Sequence, residues 1–369
     1  MAGDGLSYGA STMNDLLSIG VDIGGTKIEA VVLGRPAGSA LGSGQYQILA
    51  RRRVATERER GYEAVLETTA QCIRATAGDA GISPATTPIG VGMPGSITRR
   101  EGLVKNANTV CLNGKPFRSD LERLIGRAIR FENDANCFAL AEAVLGAGCE
   151  HVQGIVFGVI MGTGVGGGIV IGGKVWAGPQ NIAGEWGHHA VGPWWRRSLR
   201  DVPTAARKPL GVEAGREPHD TAGRTSTEHS GPREEALGLG ERPVCYCGNT
   251  GCLELYASGV AVENDYRRRT GKSKELSEIV IRRESDSAAA ESLDEMLEAF
   301  GRGVANVVDI LDPSAVVLGG GASNLDILYT EGVARVARYV FNDELLTPIL
   351  KHKLGDSAGV IGAALLDGV

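Results

Sequence analysis

Ser18-Ile-Gly20-Val-Asp22-Ile-Gly24-Gly25-Thr26-Lys27-Ile-Glu-Ala-Val-Val-Leu33 reads as two β runs joined by a Gly-Gly turn. The turn carries phosphate chemistry. Gly24 and Gly25 let backbone N–H groups approach an anion, Thr26 and Lys27 add donors, and Asp22 offers a carboxylate to magnesium through water. An ordinary hairpin turn is the other reading, for which the glycines alone suffice. A second stretch has the same form. Residues 153–176 read as strand, glycine-rich turn (Gly162-Thr163-Gly164-Val165-Gly166-Gly167-Gly168), strand, Gly-Gly hairpin and strand. Gly162, Gly164 and Gly167 fit G-x-G-x-x-G, yet a β run follows where a Rossmann fingerprint needs a helix. Gly168 with Gly173 and Lys174 mimics a Walker A motif, but Val175 has no hydroxyl for magnesium. Two β-turn-β units predict an α/β fold with a duplicated sheet core.

Outward from these units, strands and helices alternate. A strand is expected over 47–54, a helix over 61–78 and a buried strand over 88–93 that ends in the turn Met93-Pro94-Gly95-Ser96. A short helix at 119–125 and a strand at 128–132 lead to Asn133-Asp134 and a helix from Cys137 to Gly146. Asp134 stands between a strand's carboxyl end and a helix, where α/β folds place ligands. Asp134 or Asn133 serves equally as a helix N-cap. Farther on, helices are expected over 258–270, 273–282 and 287 onward. A long amphipathic one follows over 291–311, stopped by Asp312-Pro313. The strand 315–318 runs into Gly319-Gly320-Gly321, a turn flat enough for an adenine or ribose. Helices over 325–340 and 358–366 flank an edge strand at 349–353. Residues 1–17 read as a disordered tail, and about 197–241 as a flexible polar insertion. Asn106 and Asn108 are candidate sugar donors or simple turn formers.

Gly184-Glu185-Trp186-Gly187-His188 and Cys245-Tyr246-Cys247-Gly248-Asn249-Thr250-Gly251-Cys252-Leu253-Glu254 add soft ligands and two carboxylates. One imidazole with the thiolates of Cys245, Cys247 and Cys252 suits a tetrahedral structural zinc, and thiolates disfavour magnesium or calcium. Free core thiols are the bland alternative. By spacing alone His189 is as good a ligand as His188. A metal here would hold Glu185 and Glu254 in fixed relation as the floor of a binding site.

With 369 residues the chain is long enough for two domains. A net charge of −6 supports neither nucleic acid nor an anionic membrane as partner. The 7 cysteines do not read as a disulfide framework, and no apolar leader or membrane-length run occurs, so the expected location is the cytoplasm.

Together, these motifs resemble the ROK sugar kinases of the actin-like ATPase (ribonuclease H-like) superfamily. The resemblance rests on Asp22-Ile-Gly-Gly-Thr-Lys27, Gly92-Met-Pro-Gly95, Glu132-Asn-Asp-Ala-Asn136, the loop Gly162–Gly168, Gly184–His188, the cysteine cluster through Glu254, and Leu318-Gly-Gly-Gly321. They occur in the family's order from about Ile19 to Leu366. The resemblance is nearest to bacterial fructokinases (manno(fructo)kinases), with N-acetylglucosamine kinases close. It implies two domains, 18–134 with 356–369 and 135–355, and a homodimer. It implies ATP and magnesium as cofactors, bound through Gly20, Asp22, Gly24, Gly25, Thr26, Lys27, the loop Gly162, Thr163, Gly164, Val165, Gly166, Gly167 and Gly168, and Gly319, Gly320 and Gly321. Asp134 matches the catalytic base; Asn133, Asp134, Glu185, His188 and Glu254 match the sugar ligands; His188, Cys245, Cys247 and Cys252 match a zinc site. The reaction implied is phosphorylation of a hexose, fructose first, with N-acetylglucosamine or N-acetylmannosamine as the alternative. A sugar-responsive regulator on the same fold would need a DNA-binding segment, and the 17 residues before Ser18 are too few for one.

Overall fold

The computed structural model describes residues 15–36, 46–98, 100–107, 109–191 and 243–366. The calls on residues 1–14, on Asn108 and on the insertion about 197–241 lie outside them. The first sheet contains β1 (Asp15–Ile23), β2 (Lys27–Pro36), β3 (Gln47–Ala55), β4 (Ile89–Met93) and β7 (Arg130–Asn133), with the small hairpin β5 (Ser96–Ile97) and β6 (Val104–Lys105) beyond β4. Helices α1 (Tyr62–Asp79) and α2 (Phe117–Ile125) cover one face. After α3 (Asp134–Val144) comes the second sheet: β8 (Ile155–Met161), β9 (Val165–Ile171), β10 (Lys174–Val175), β11 (Ala315–Gly319) and β12 (Ile349–Lys351). Its outer layer is α4 (Glu254–Ala257), α5 (Gly259–Thr270), α6 (Leu276–Ile281), α7 (Ser287–Leu311) and α8 (Glu331–Tyr339), and α9 (Ala358–Leu365) closes the described chain.

The two sheets share one topology. Their orders are β3-β2-β1-β4-β7 and β10-β9-β8-β11-β12. In each, three antiparallel strands come first, then two that run parallel to the first strand. The duplication expected from the two glycine-turn stretches is therefore present in the strand register. Period-two alternation explains how β2 serves two layers: Ile28, Ala30 and Val32 face the α1 side, while Val31 and Leu33 enter the layer between the sheets.

That middle layer consists of α3 and α9, and each has crossed over. Helix α3 follows the last strand of the first sheet but packs on β8 and β9; α9 follows the last strand of the second but packs on β1 and β4. The helices approach so closely that a Cβ on Gly362 would lie 1.8 Å from the Cys137 carbonyl oxygen. On the sheet side, a Cβ on Gly20 would lie 2.1 Å from the Val360 carbonyl oxygen. Small residues here are a condition of the exchange.

Several boundaries differ from the sequence reading. β1 begins at Asp15, so the expected tail loses three positions to the sheet. α3 begins at Asp134 and not at Cys137, because the Asn133 side chain accepts from the Ala135 N–H as a true N-cap. The helix expected over 325–340 is a 3-10 turn at Asp326–Leu328 followed by α8. The long helix extends back to Ser287, capped by Asp286.

Candidate active site

A cleft of about 710 Å³ opens between the turn after β4 and the segments that follow β9. Asn133, Asp134, Glu185, His188 and Glu254, the whole candidate sugar set, line it, together with Gly162 to Gly167 and the rim residues Lys105, Asn106 and Tyr246. A second hollow of about 310 Å³ is bordered by Asp22, Gly24, Gly320, Gly321, Asn324, His352 and Asp356. Asp134, Pro94 and Ile160 belong to both walls. Asp134 thus stands where a sugar-sized space meets a space edged by glycine turns.

The local fold explains how the carboxylates are held. Asn133 donates from Nδ2 to the Gly95 carbonyl oxygen at 3.1 Å and accepts through Oδ1 from Ala135 N–H at 2.9 Å. It therefore ties the strand end, the β4 turn and the helix start together. Asp134 Oδ1 also accepts from Ala135 N–H at 2.9 Å. Burial raises the Asp134 pKa to about 6; the Ala135 N–H bond opposes the rise, and the Glu185 charge adds to it. Asp22 is raised to about 7, first by burial and then by the charges of Asp134 and Glu29. Two carboxyl groups held above the usual carboxylate range by burial and by neighbouring negative charge make a site where a cation or a hydroxyl proton is welcome.

Glu254 is bound into the second glycine turn. Its Oε2 accepts from Val165 N–H at 2.9 Å, and a Cβ on Gly164 would lie 2.4 Å from that oxygen, so a side chain there would push the carboxylate aside. Trp186 anchors the neighbouring segment: its indole N–H donates to the Gly166 carbonyl oxygen at 2.8 Å, and its ring meets Phe157 edge-on at 5.7 Å.

His188 and the cysteines, 57 residues apart at the nearest, are joined by backbone pairing. Ala190 bridges Cys252, Val191 N–H donates to the Gly251 carbonyl oxygen, and Leu253 N–H donates to that of His189. One ligand atom from each of His188, Cys245, Cys247 and Cys252 lies within 4.8 Å of all the others. His188 Nδ1 faces Cys245 Sγ at 3.6 Å, and Cys247 Sγ lies 3.6 Å from Cys252 Sγ. This donor set and spacing fit a tetrahedral zinc. His189 is outside the group: burial lowers its pKa, and its buried Nε2 has no partner among the described residues.

Some expected phosphate residues stand elsewhere. Gly20 packs on α9, Gly168 on Asn136 and Ala135, and Gly319 on Phe138, so these serve close packing and not a cavity wall. Gly25 and Thr26 border a separate hollow beside Arg58 and Val110. The Lys27 ammonium lies 3.8 Å from Glu29, a fully buried carboxylate that Arg51 and Arg53 also hold. Asn324, His352 and Asp356 were not singled out in the sequence. They lie in unpatterned turns, and no spacing signal marks them.

The model of the ROK family matches residues 18–367. The chain belongs to the ROK family. It is 34% identical to the N-acetyl-D-glucosamine kinase of Vibrio cholerae serotype O1, over 94% of this chain and 98% of that one. The N-acetyl-D-glucosamine kinase of Vibrio atlanticus is 35% identical over the same shares. Among solved structures, the ROK hexokinase of Thermus thermophilus superposes with a TM-score of 0.72 at 30% identity, covering 95% of this chain and 97% of that one. The ROK glucokinase of Streptomyces griseus, solved with glucose and AMPPNP, gives 0.65 at 25% identity, covering 95% and 98%. The resemblance to ROK sugar kinases thus extends along nearly the whole chain, and the paired sheets are consistent with the actin-like ATPase superfamily. No helix among the described residues is long and apolar enough to cross a membrane.

Proposed function

We propose that this chain transfers the γ-phosphoryl group of ATP to a hexose, with N-acetylglucosamine as the preferred sugar and Asp134 as the general base. The carrying observation is the position of Asp134 on the wall shared by the two cavities. The N-acetyl-D-glucosamine kinases among the relatives support that sugar. They lend nothing to fructose, the first expectation from the motifs, and fructose is the weaker reading.

The sugar would lie against Asn133, Glu185, the edge of the His188 ring and Glu254, presenting a hydroxyl to Asp134, which takes its proton as the oxygen attacks phosphorus. Nucleotide phosphates would meet the backbone of Gly24 and of the turn Gly162–Gly166, with the nucleoside toward Gly320 and Gly321. Magnesium, when bound, would neutralise charge on the phosphates, and Asp22 is the carboxylate that would hold it. Phosphoryl transfer needs positioning and charge more than covalent help, which suits a site made largely of backbone turns. Zinc would be held by His188, Cys245, Cys247 and Cys252 and would fix the sugar-facing wall. A division into 18–134 with 356–369 against 135–355 would supply two bodies able to close on both substrates and exclude water.

The test is a coupled ADP-release assay over N-acetylglucosamine, N-acetylmannosamine, glucose, mannose and fructose. The highest kcat/KM is expected for N-acetylglucosamine. Turnover of none would sink the kinase reading, and a clear preference for fructose would overturn the sugar assignment alone.

A further inference from the structure

Tyr246 stands between two cysteines of the candidate metal group, on the rim of the larger cleft. Its side chain is 79% exposed, an unusual placement for an aromatic ring fixed at both ends by a ligand loop. The ring meets the His188 imidazole edge-on, with centroids 5.2 Å apart and planes at 86°. The hydroxyl lies 3.0 Å from His188 Nε2. Nδ1 faces Cys245 Sγ, so with a zinc taken up at Nδ1 the ring proton would sit on Nε2. It would then donate to the Tyr246 oxygen and leave the tyrosine's own proton to point outward.

The neighbouring groups show what that proton is for. Glu185 and Glu254 can only accept, and one Glu254 oxygen is already taken by Val165 N–H. The Asn133 amide gives one of its two N–H groups to the Gly95 carbonyl. A hexose hydroxyl is both donor and acceptor, and the two carboxylates satisfy only the first role, which leaves Tyr246 with Lys105 and Asn106 as side-chain donors on this rim. We infer that the Tyr246 hydroxyl is a sugar-binding donor, aimed into the cleft by His188 Nε2, and that it supplies the hydrogen bond a hexose oxygen needs on this side. This rests on the hexose-kinase reading. It adds a substrate contact at a position that neither carries a metal ligand nor touches the reacting atoms.

Tyr246→Phe removes the hydroxyl and keeps the ring. The expected result is a rise of about 3–10-fold in the sugar KM and in the calorimetric sugar Kd, the usual effect of one lost neutral hydrogen bond. kcat should stay within about twofold, with ATP KM, bound zinc and Tm unchanged. Tyr246→Ala, which also removes the ring that packs on His188, should weaken the sugar further. Wild-type sugar KM and Kd in Tyr246→Phe would overturn the inference while leaving the kinase reading intact. A weakened sugar accompanied by lost zinc would overturn it too, by making Tyr246 a support of the metal loop. If the wild type turns over no hexose, the kinase reading falls on that measurement, and calorimetry with N-acetylglucosamine still decides whether the hydroxyl binds sugar.

Discussion

Replacing Asp134 by Asn should abolish catalysis and at the same time stabilise the protein. The carboxyl is partly buried on the wall of both cavities, and its pKa rises from 3.8 to about 6 on folding. At 1.36 kcal/mol per pH unit that rise amounts to about 3 kcal/mol of cost to the charged form. Relaxation around a buried charge lowers such figures, so a gain of about 1–2 kcal/mol is expected for Asp134→Asn. The sign follows from linkage. A carboxyl whose folded pKa is raised costs nothing below its unfolded value and its full penalty above its folded one. Wild type should therefore lose stability relative to the variant as pH climbs from about 4 to about 6, and the gap should stay constant above. The helix start is spared, because Asn133 caps it independently and an amide oxygen at 134 still accepts from Ala135 N–H. Catalysis needs the charged form. The kcat of wild type should rise as pH passes through about 6, and that of Asp134→Asn should be lower by about 10²–10⁴-fold with sugar KM changed little. Steady-state kinetics across pH 5–8 and urea unfolding at pH 4 and 7.5 provide both readouts. A variant within tenfold of wild-type kcat would refute the base assignment; one less stable than wild type at pH 7.5 would refute the burial argument.

Three further changes test other parts of the site. Chelation should release about one zinc per chain, raise the sugar KM about tenfold or more and lower Tm before it affects nucleotide affinity; active protein that contains no zinc by metal analysis would rule the metal out. Glu254→Gln keeps an acceptor for Val165 N–H but loses the charge facing the cleft. Its sugar KM should rise about 10-fold or more, as charged hydrogen bonds are worth about 1.5–3 kcal/mol, and an unchanged KM would remove Glu254 from the sugar set. Gly362→Ala should destabilise by about 2 kcal/mol or more in urea, since its Cβ would meet the Cys137 carbonyl oxygen. Gly78→Ala, whose Cβ meets nothing within 4 Å inside α1, should be neutral or stabilising and serves as the control.

The duplicated sheets were legible because β-turn-β units with glycine turns repeat in the sequence, and their shared strand order bears this out. The metal group was legible because soft ligands are rare and clustered. Choosing His188 over His189 was not, since one residue of offset decides which side of a short 3-10 turn a ring occupies. The glycines were the least legible. Gly24 and Gly320 edge a cavity, whereas Gly20 and Gly319 let helix and ring atoms approach a strand, and composition cannot separate a turn from a close contact. Asp134 was ambiguous between cap and catalyst. The structure gives the capping task to Asn133 and leaves the Asp134 carboxylate on the cavity wall.

The exchange of α3 and α9 connects this division of labour to catalysis. Asp134 is the first residue of α3, at the point where the chain leaves the first sheet to pack on the second. Asp22 lies one residue before the end of its strand, against α9, and a Cβ on Gly359 would lie 3.3 Å from its carboxyl carbon. The two carboxylates with raised pKa values therefore sit at the two places where one half of the molecule reaches into the other. In the proposed division Asp22 and Asp134 both belong to the body 18–134, so closure of 135–355 on substrate would bring the turn Gly162–Gly166 and its nucleotide phosphates to this pair. Magnesium arriving with the nucleotide would add positive charge near the pair and so oppose the burial that raises both pKa values. Binding the donor should then lower the Asp134 pKa and charge the base only once the nucleotide is in place. The kinetic pKa in the kcat profile, taken with both substrates bound, should accordingly lie below the one in kcat/KM for the nucleotide, and equal values would show that the magnesium charge does not act on Asp134.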